Sequence, residues 1–286
     1  MTQCNGIYWL ASYPKSGNTW MRILLHNMMS TSDAPTAITT LGGYPIASSR
    51  TWLEELSGIE TSEMTDDEID EIRPLAYLWA GSQPGVTYHK VHDAFGLTPS
   101  GTPMFPKTGC LGVVYIVRNP LDIVSSLANH LQCSTDDAIT ILNDPSQIWS
   151  VTTDTLAIQC RQKILDWSGH VRSWEESGIA VLIVRYEDML RTPIPTLSRV
   201  IDFLGLGGQR ERLPKAIENS RFSLLQQQER AHNFPEKPDI AINFFRQGIS
   251  GAWRHELTNI QVSTILDRHE ETMRKLGYWP PDAHWP

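Results

Sequence analysis

Short apolar runs alternate with helical patterns along the chain. Residues 7–11, 112–117 and 180–184 are near-continuous apolar runs, and residues 86–91 form a shorter strand-like run. Strands that are apolar on both faces are typical of a parallel sheet that is covered on both sides. Because helical patterns separate these runs, the sequence predicts an α/β fold with helices on both faces of a parallel sheet.

Several helices are predicted between and after these strands. Thr65 and Glu68 form a capping box at the start of an acidic helix, which Pro74 is expected to kink or end. Asn119 followed by Pro120 is the usual beginning of another helix. The remaining predicted helices cover residues 19–29, 50–56, 134–142, 154–176, 192–204, 211–219, 222–230 and 257–276.

Composition narrows the class of protein. A length of 286 residues fits one large α/β domain or two small ones. The formal net charge of −8 argues against a general nucleic-acid or anionic-membrane partner, because both need a basic surface. Any anion site must therefore be a local basic pocket in an acidic molecule.

The cysteine pattern and the absence of targeting patterns indicate the cellular compartment of the protein. Cys4, Cys110, Cys133 and Cys160 show no C-x-x-C spacing, so no zinc or redox motif is visible. Scattered cysteines suit a reducing compartment. The sequence shows no signal peptide and no apolar run near the roughly 20 residues that span a bilayer. We expect a soluble cytoplasmic protein without membrane insertion.

The stretch 13–20, Tyr-Pro-Lys-Ser-Gly-Asn-Thr-Trp, joins the first apolar run to a helix. A strand, a tight turn and a helix direct backbone N–H groups at an anion. Gly17 lets the turn close, Lys15 adds a mobile charge and Thr19 offers a hydroxyl. Because Lys15 precedes Gly17, the stretch is not a Walker A loop, which reads G-x-x-x-x-G-K-[ST].

Arg118 leaves the carboxyl end of a buried strand, where open α/β sheets bind ligands. Ser126 follows eight residues later, about two helical turns on. An anionic ligand would stabilise Arg118, but pairing with a buried carboxylate such as Asp122 is an equally good explanation.

His89 and His92 end the strand over residues 86–91. Strand alternation places Lys90 and His92 on one face and His89 on the other. A His-x-x-His pair could bind a metal, yet no third ligand accompanies it, and a structural histidine is commoner than a ligand or a base.

Two further stretches could contact a nucleotide. Tyr186 follows a strand and could be an aromatic wall, although such a residue is more often core. Arg246, Gly248 and Gly251 lie in Arg-Gln-Gly-Ile-Ser-Gly-Ala-Trp, where the glycines let the backbone wrap an anion. An ordinary glycine-containing surface loop is the alternative.

Taken together, these motifs resemble the sulfotransferases that use 3′-phosphoadenosine 5′-phosphosulfate (PAPS). Residues 13–20 resemble their 5′-phosphosulfate loop, and the other motifs follow in the family order up to Trp253. The resemblance implies a P-loop-like sheet in a single domain over residues 1–286, with residues 30–85 and 231–245 as acceptor-pocket or lid segments. A plain packing layer is the alternative for the region around residues 65–79.

The resemblance also implies roles for residues. His92 would be the general base, with His89 as the fallback, and Lys15 would stabilise the leaving phosphate oxygen. Ser220 and Phe222 resemble the adenine segment, and Gln247 stands where many members have a second basic residue. The implied cofactor-binding residues are Lys15, Ser16, Gly17, Asn18, Thr19, Trp20, Arg118, Ser126, Tyr186, Ser220, Phe222, Arg246, Gln247 and Gly248.

The implied reaction moves a sulfuryl group from PAPS to the hydroxyl of a small-molecule alcohol or phenol. The product would be adenosine 3′,5′-bisphosphate (PAP), and no metal is needed. A P-loop-type small-molecule kinase and a non-catalytic nucleotide-binding protein are the alternatives.

The acceptor and the oligomeric state stay open. Trp52, Trp79, Tyr44 and Phe95 hint at an aromatic pocket, although each is more often plain packing. The family's dimer segment after Trp253 is broken in this chain, so a monomer and a homodimer are both possible.

Overall fold

A computed structural model describes residues 5–43, 45–151, 156–237 and 243–279. The chain divides into two compact units, each assembled from three stretches. The first unit contains residues 1–13, 44–115 and 145–183, and the second contains residues 14–43, 116–144 and 184–286. The predicted single domain with pocket segments at 30–85 and 231–245 stays a prediction; Tyr44 and residues 238–242 lie outside the described residues.

A four-stranded sheet has the strand order β2-β1-β3-β6. Strand β1 pairs in parallel with β2, from Gly6 opposite Val86 to Ala11 opposite Val91, and also pairs in parallel with β3. The predicted α/β fold with a parallel sheet flanked by helices is confirmed. The strands are β1 (Gly6–Ala11), β2 (Val86–Val91), β3 (Cys110–Val117), β4 (Ile148–Trp149), β5 (Gln162–Lys163) and β6 (Val181–Arg185), of which β4 and β5 form a separate antiparallel pair.

The helices of the described residues follow most of the predicted segments. They are α1 (Asn18–Met29), α2 (Arg50–Ser57), α3 (Asp66–Ser82), α4 (Pro120–Leu131), α5 (Thr135–Asn143), α6 (Trp167–Glu175), α7 (Tyr186–Arg191), α8 (Pro193–Phe203), α9 (Leu213–Asn219), α10 (Phe222–His232), α11 (Trp253–Glu256) and α12 (Asn259–Lys275). Two 3₁₀ segments cover Ile38–Gly43 and Gly207–Arg212.

Local capping sets the helix starts as expected. The Thr65 hydroxyl accepts the backbone N–H of Glu68 at the start of α3, and the Glu68 carboxylate accepts the backbone N–H of Thr65. The Asn119 side chain likewise caps α4, with Pro120 at its first position. Helix α3, however, continues through Pro74. Side chains on both sides of the proline are buried within the first unit, and this burial outweighs the local preference of proline.

The predicted long helix over residues 154–176 is wrong in its described part. Helix α6 begins only at Trp167, where the Asp166 side chain accepts the backbone N–H of Gly169. Before it, the Cys160 N–H donates to the carbonyl of Ser48 at 2.7 Å, and β5 pairs with β4. Backbone pairing with distant segments therefore replaces the helical hydrogen bonds that the local pattern suggested.

Aromatic side chains form much of the first unit's core. Trp9 meets Tyr77 and Phe105 edge to face, each at a centroid distance of 5.2 Å, and Phe105 lies 5.0 Å from Trp174. Phe95 meets Trp174 edge to face at 5.7 Å, so this predicted pocket aromatic packs against the core. Aromatic pairs in such geometries stabilise the fold beyond their buried area.

The other two described pocket candidates differ from each other. Trp52 stacks on the His89 ring at a centroid distance of 4.3 Å, whereas Trp79 is 52% exposed. Trp52 therefore packs within the first unit, and Trp79 contributes to its surface.

A buried ion pair lies beside the end of β2. Arg73 is 1% exposed, and its Nη2 lies 2.9 Å from Oδ1 of Asp93, a residue that is itself buried. The same guanidinium donates to the Tyr77 hydroxyl at 3.0 Å and to the Arg161 carbonyl at 2.9 Å. These bonds satisfy a charge whose burial would otherwise be costly.

We expect Arg73→Met to lower the free energy of unfolding by about 3–5 kcal/mol, because Asp93 would keep a buried charge without its partner. Urea unfolding of the purified protein measures the change. Arg210→Met is the matched control, since it removes an exposed pair with Asp202 and should cost about 1 kcal/mol or less. Equal losses in the two variants would contradict the assignment.

Candidate active site

The turn after β1 has an unusual backbone conformation. Lys15 has φ of 67° and Gly17 has φ of 99°, both in the left-handed region. A Cβ atom on Gly17 would lie 2.6 Å from the ring of Tyr186, so only glycine fits at this position. A non-glycine residue such as Lys15 adopts this conformation only at a cost in free energy. Residues strained in this way are commonest at functional sites.

Buried polar groups lie at this turn and at the start of α1. Gly17 is the N-cap of α1 and provides no side-chain cap, and the start of a helix is a favourable position for an anion. Ser16 is fully buried, and its hydroxyl has no hydrogen-bond partner among the described residues. Asn18 and Thr19, the next two residues, are also buried.

Arg118 contacts the turn directly. Its Nη1 donates to the carbonyl of Lys15 at 3.2 Å, and its Nη2 donates to the carbonyl of Ile249 at 3.1 Å. The guanidinium carbon lies 4.6 Å from the centroid of the Tyr186 ring. The Nε atom is buried and has no hydrogen-bond partner within the described ranges. Arg118 therefore joins the turn to the segment around Ile249.

Asp122 has a different role from the one weighed for it as a partner of Arg118. Its Oδ2 accepts the backbone N–H of Gly251 at 2.8 Å, and its Oδ1 accepts that of Trp253 at 3.2 Å. Helix α4 thereby fixes the glycine-containing segment through one carboxylate. The sequence contained Asp122 as a candidate, but nothing in it indicated backbone amides 129 and 131 residues away.

Arg246 is held by a carboxylate in this structure. Its Nη1 and Nη2 donate to the two oxygens of Glu256 at 2.8 and 3.1 Å, and Gln247 donates to Oε1 at 3.1 Å. These bonds, led by that from Arg246, lower the pKa of Glu256 to about 2. Sequence reasoning missed Glu256, because its position is set by the short helix α11.

Gly248 lies in the same segment and is also constrained. It has φ of 66°, and a Cβ atom would lie 2.3 Å from the ring of Phe222. The two predicted residues Gly248 and Phe222 are therefore in close contact.

Aromatic side chains and one serine complete the group in the second unit. Trp20 Nε1 donates to the carbonyl of Ser220 at 2.8 Å, and its ring meets Tyr186 edge to face at 5.7 Å. The Ser220 hydroxyl accepts from Asn27 and donates to the Ala216 carbonyl. The backbone carbonyl of Ser220 thus fixes the Trp20 ring. The buried Ser220 hydroxyl forms hydrogen bonds within the core of the second unit.

The predicted base lies in the first unit. Nδ1 of His92 lies 2.9 Å from the carbonyl oxygen of Ser12. Because a carbonyl can only accept, Nδ1 carries the proton, and in the neutral ring the basic lone pair is on Nε2.

Neighbouring groups fix the backbone of His92. His170 Nε2 donates to the His92 carbonyl at 3.0 Å, and the Tyr115 hydroxyl is 2.7 Å from the other nitrogen of His170. Burial lowers the pKa of His170 to about 4, so its ring stays neutral and its tautomer is defined.

His89, the fallback, has the features of a structural histidine. Its side chain is buried in the first unit, its ring stacks on Trp52, and its Nδ1 donates to the carbonyl of Pro45 at 3.2 Å.

The structure thus groups most predicted residues within one unit. Residues 15–20, 118, 186, 220, 222 and 246–248 all belong to the second unit, where Ser126 is half-buried on α4. His92 belongs to the first unit. Within the described ranges, no group of three His, Cys, Asp or Glu residues could hold a metal ion, and no helix is long and apolar enough to cross a membrane.

Comparisons with known proteins concern the family and the fold. The family model described as "Sulfotransferase domain" matches residues 7–277. Mouse "Sulfotransferase 1 family member D1" is 26% identical over 280 residues, which cover 92% of this chain and 82% of the mouse protein. Human "Sulfotransferase 2A1" is 22% identical over 281 residues, which cover 93% and 84%.

Solved structures share the fold. A mouse sulfotransferase, SULT7A1, complexed with PAP has a TM-score of 0.59 and 20% identity, with 94% of this chain and 85% of that chain covered. A retinol dehydratase in complex with androsterone and inactive cofactor PAP has a TM-score of 0.58 and 18% identity, with 98% and 82% covered.

The chain belongs to the sulfotransferase domain family. The predicted family and fold are confirmed, and the predicted enzyme class, a PAPS-dependent transferase acting on a small molecule, agrees with that membership. The kinase and sensor alternatives are not favoured. The roles of the individual site residues stay predictions.

We expect Glu256→Gln to tighten PAP binding several-fold, because the carboxylate that neutralises Arg246 would be gone. Since the pKa of Glu256 is about 2, this competing charge is present throughout the pH range 5–8. Isothermal titration calorimetry with PAP measures the effect.

Glu270→Gln is the matched control for that variant. Glu270 pairs with Arg274 on the exposed side of α12, so the variant removes the same charge far along the chain from Arg246. Unchanged or weaker PAP binding by Glu256→Gln would exclude Arg246 as a phosphate ligand.

Proposed function

We propose that this chain transfers a sulfuryl group from PAPS to the hydroxyl oxygen of a small-molecule acceptor, with Lys15 and His92 as the reacting residues. The observation that carries the proposal is the contact of Arg118 with the Lys15 turn. It groups two cations with the amide groups of a helix start, in a molecule whose net charge is −8. Such a cluster suits a ligand with more than one anionic group.

The donors present fit PAPS. In our proposal, Lys15, the Ser16 hydroxyl and the amides of residues 16–19 bind the 5′-phosphosulfate end. Arg118, with its unsatisfied Nε, binds the 3′-phosphate together with Ser126 and the segment 246–248. An arginine fork matches the geometry of a phosphate dianion.

Aromatic residues of the second unit supply the contacts for adenine. Trp20 and Tyr186 meet edge to face beside Gly17, and Phe222 packs against Gly248. We assign these three side chains to the base, and we assign Ser220 to the support of Trp20.

PAPS, when bound, supplies the sulfuryl group and a good leaving group. His92 accepts the proton of the acceptor hydroxyl at Nε2, the nitrogen that the Ser12 contact leaves basic. Lys15 donates to the phosphate oxygen on which charge grows as it leaves. His92 thereby accepts the proton, and Lys15 stabilises the negative charge of the leaving group.

The acceptor is a small molecule with a hydroxyl group. Relatives include a 3-beta-hydroxysteroid sulfotransferase from Cavia porcellus and a flavonol 3-sulfotransferase from Flaveria bidentis, 23% and 22% identical to this chain. Both names refer to hydroxyl-bearing compounds, a hydroxysteroid and a flavonol, which supports a hydroxyl acceptor. A screen of both classes with ³⁵S-labelled PAPS identifies the working acceptor.

We expect PAP to raise the melting temperature by several degrees, and ATP with Mg²⁺ to raise it much less. At a ligand concentration 100 times the dissociation constant, binding contributes about 2.7 kcal/mol to stability. Differential scanning fluorimetry measures both shifts. A larger shift with ATP would favour the kinase alternative.

We expect His92→Ala to reduce turnover of PAPS by at least about a hundredfold, because general-base catalysis typically contributes that much. The dissociation constant for PAP should change less than threefold, since His92 handles the acceptor proton. Turnover is followed by ³⁵S transfer and binding by calorimetry. His232→Ala, at an exposed position on α10, is the control, and near-normal turnover by His92→Ala would remove His92 from the role.

A further inference from the structure

The ammonium group of Lys15 has two neighbours that the reaction scheme does not use. Its Nζ lies 3.4 Å from Nδ1 of His130, on α4, and 4.3 Å from the centroid of the Phe244 ring. We propose that His130 and Phe244 are positioning residues, which hold the Lys15 ammonium in the place from which it acts on the leaving oxygen. The inference rests on the proposed function.

The chemistry of the contact defines the state of His130. An ammonium group has three donors and no acceptor, so the Nδ1 atom of His130 must accept. The ring is therefore neutral, with its proton on Nε2. Phe244 attracts the same cation through the negative face of its ring. Neither neighbour carries negative charge, so both orient Lys15 without neutralising it.

Lys15 needs such orientation more than most side chains. A lysine carries a compact charge on a flexible four-carbon stem, and ordering that stem costs up to about 2 kcal/mol of entropy. The backbone of Lys15 is already held at φ of 67°, and its carbonyl accepts from Arg118. His130 and Phe244 extend this control from the backbone to the end of the side chain.

The two positioning residues are themselves fixed. The Glu229 carboxylate, on α10, accepts the backbone N–H of Phe244 at 2.6 Å and that of Phe245 at 3.0 Å. Asn129, next to His130, donates to the carbonyl of Asn243 at 3.0 Å. Hydrogen bonds from two helices, α10 and α4, therefore fix the segment that contains Phe244. The Phe244 ring meets that of His130 edge to face at a centroid distance of 6.4 Å.

Three variants separate positioning from plain packing. His130→Asn places an amide group near the position of Nδ1 and so keeps an acceptor, whereas His130→Leu has a similar size but no acceptor. Phe244→Leu keeps an apolar side chain and loses the aromatic face. If packing alone mattered, His130→Leu would be the milder change.

We expect His130→Leu to lower kcat about ten- to hundredfold, the range for a hydrogen bond to a charged group. The KM for PAPS and the dissociation constant of PAP should change less than threefold, because Lys15 keeps its charge. His130→Asn should recover most of kcat, and Phe244→Leu should lower it about two- to thirtyfold. Initial rates use the acceptor found in the screen.

A second measurement needs neither cofactor nor turnover. In protein labelled with [ε-¹³C]lysine, the Lys15 signal, assigned with Lys15→Arg, should show an upfield shift from the Phe244 ring. Phe244→Leu should abolish that shift, and His130→Leu should alter it. A Lys15 signal that is the same in all three proteins would overturn the inference.

The two tests keep the inference distinct from the proposed function. If the wild-type protein neither binds PAP nor turns over PAPS, the proposed function fails and the inference fails with it, even where NMR confirms the Lys15 contacts. If PAPS is turned over but His130→Leu and His130→Asn, both with unchanged melting temperatures, have equal kcat values, the inference is overturned while the proposed function stands.

Discussion

The left-handed turn at Lys15 and Gly17 is the constraint on which the candidate site depends. It leads into α1 at Asn18 and brings the Lys15 carbonyl to Arg118. The ring of Tyr186 occupies the space that a side chain at Gly17 would need. The turn and its aromatic neighbour must therefore form together. One backbone conformation thereby places amide donors, an ammonium and a guanidinium in one unit of an acidic chain.

The candidate cations of the site differ in the charge of the groups that they contact. Arg118 donates to two backbone carbonyls and lies over an aromatic ring, and Lys15 contacts an imidazole and a second ring. Arg246 differs, since the Glu256 carboxylate neutralises it. A phosphate group that binds Arg246 must therefore compete with an internal carboxylate, whereas one that binds Arg118 replaces weaker contacts.

In the first unit, hydrogen bonds orient His92. Hydrogen bonds from His170 and to Ser12 fix the backbone and tautomer of His92, and the buried Arg73 pairs with the next residue, Asp93. Burial keeps His170 neutral at ordinary pH, so its hydrogen bond does not change as the solution pH varies near neutrality. His92 is therefore oriented by groups that stay neutral near neutral pH.

Strand periodicity, capping residues and turn glycines act over a few neighbouring residues, so the amino-acid sequence predicts the sheet, most helix starts and the positions of the candidate motifs. It therefore predicted the Lys15 turn, the Asn119 cap and the family. Long-range packing accounts for the strand pairing that replaces the predicted helix before Trp167 and for the bonds of Asp122 to distant amides. The same packing pairs Arg246 with Glu256 and brings Lys15 to His130. Contacts between residues that are far apart in the chain depend on how the elements pack, and no local pattern records that packing.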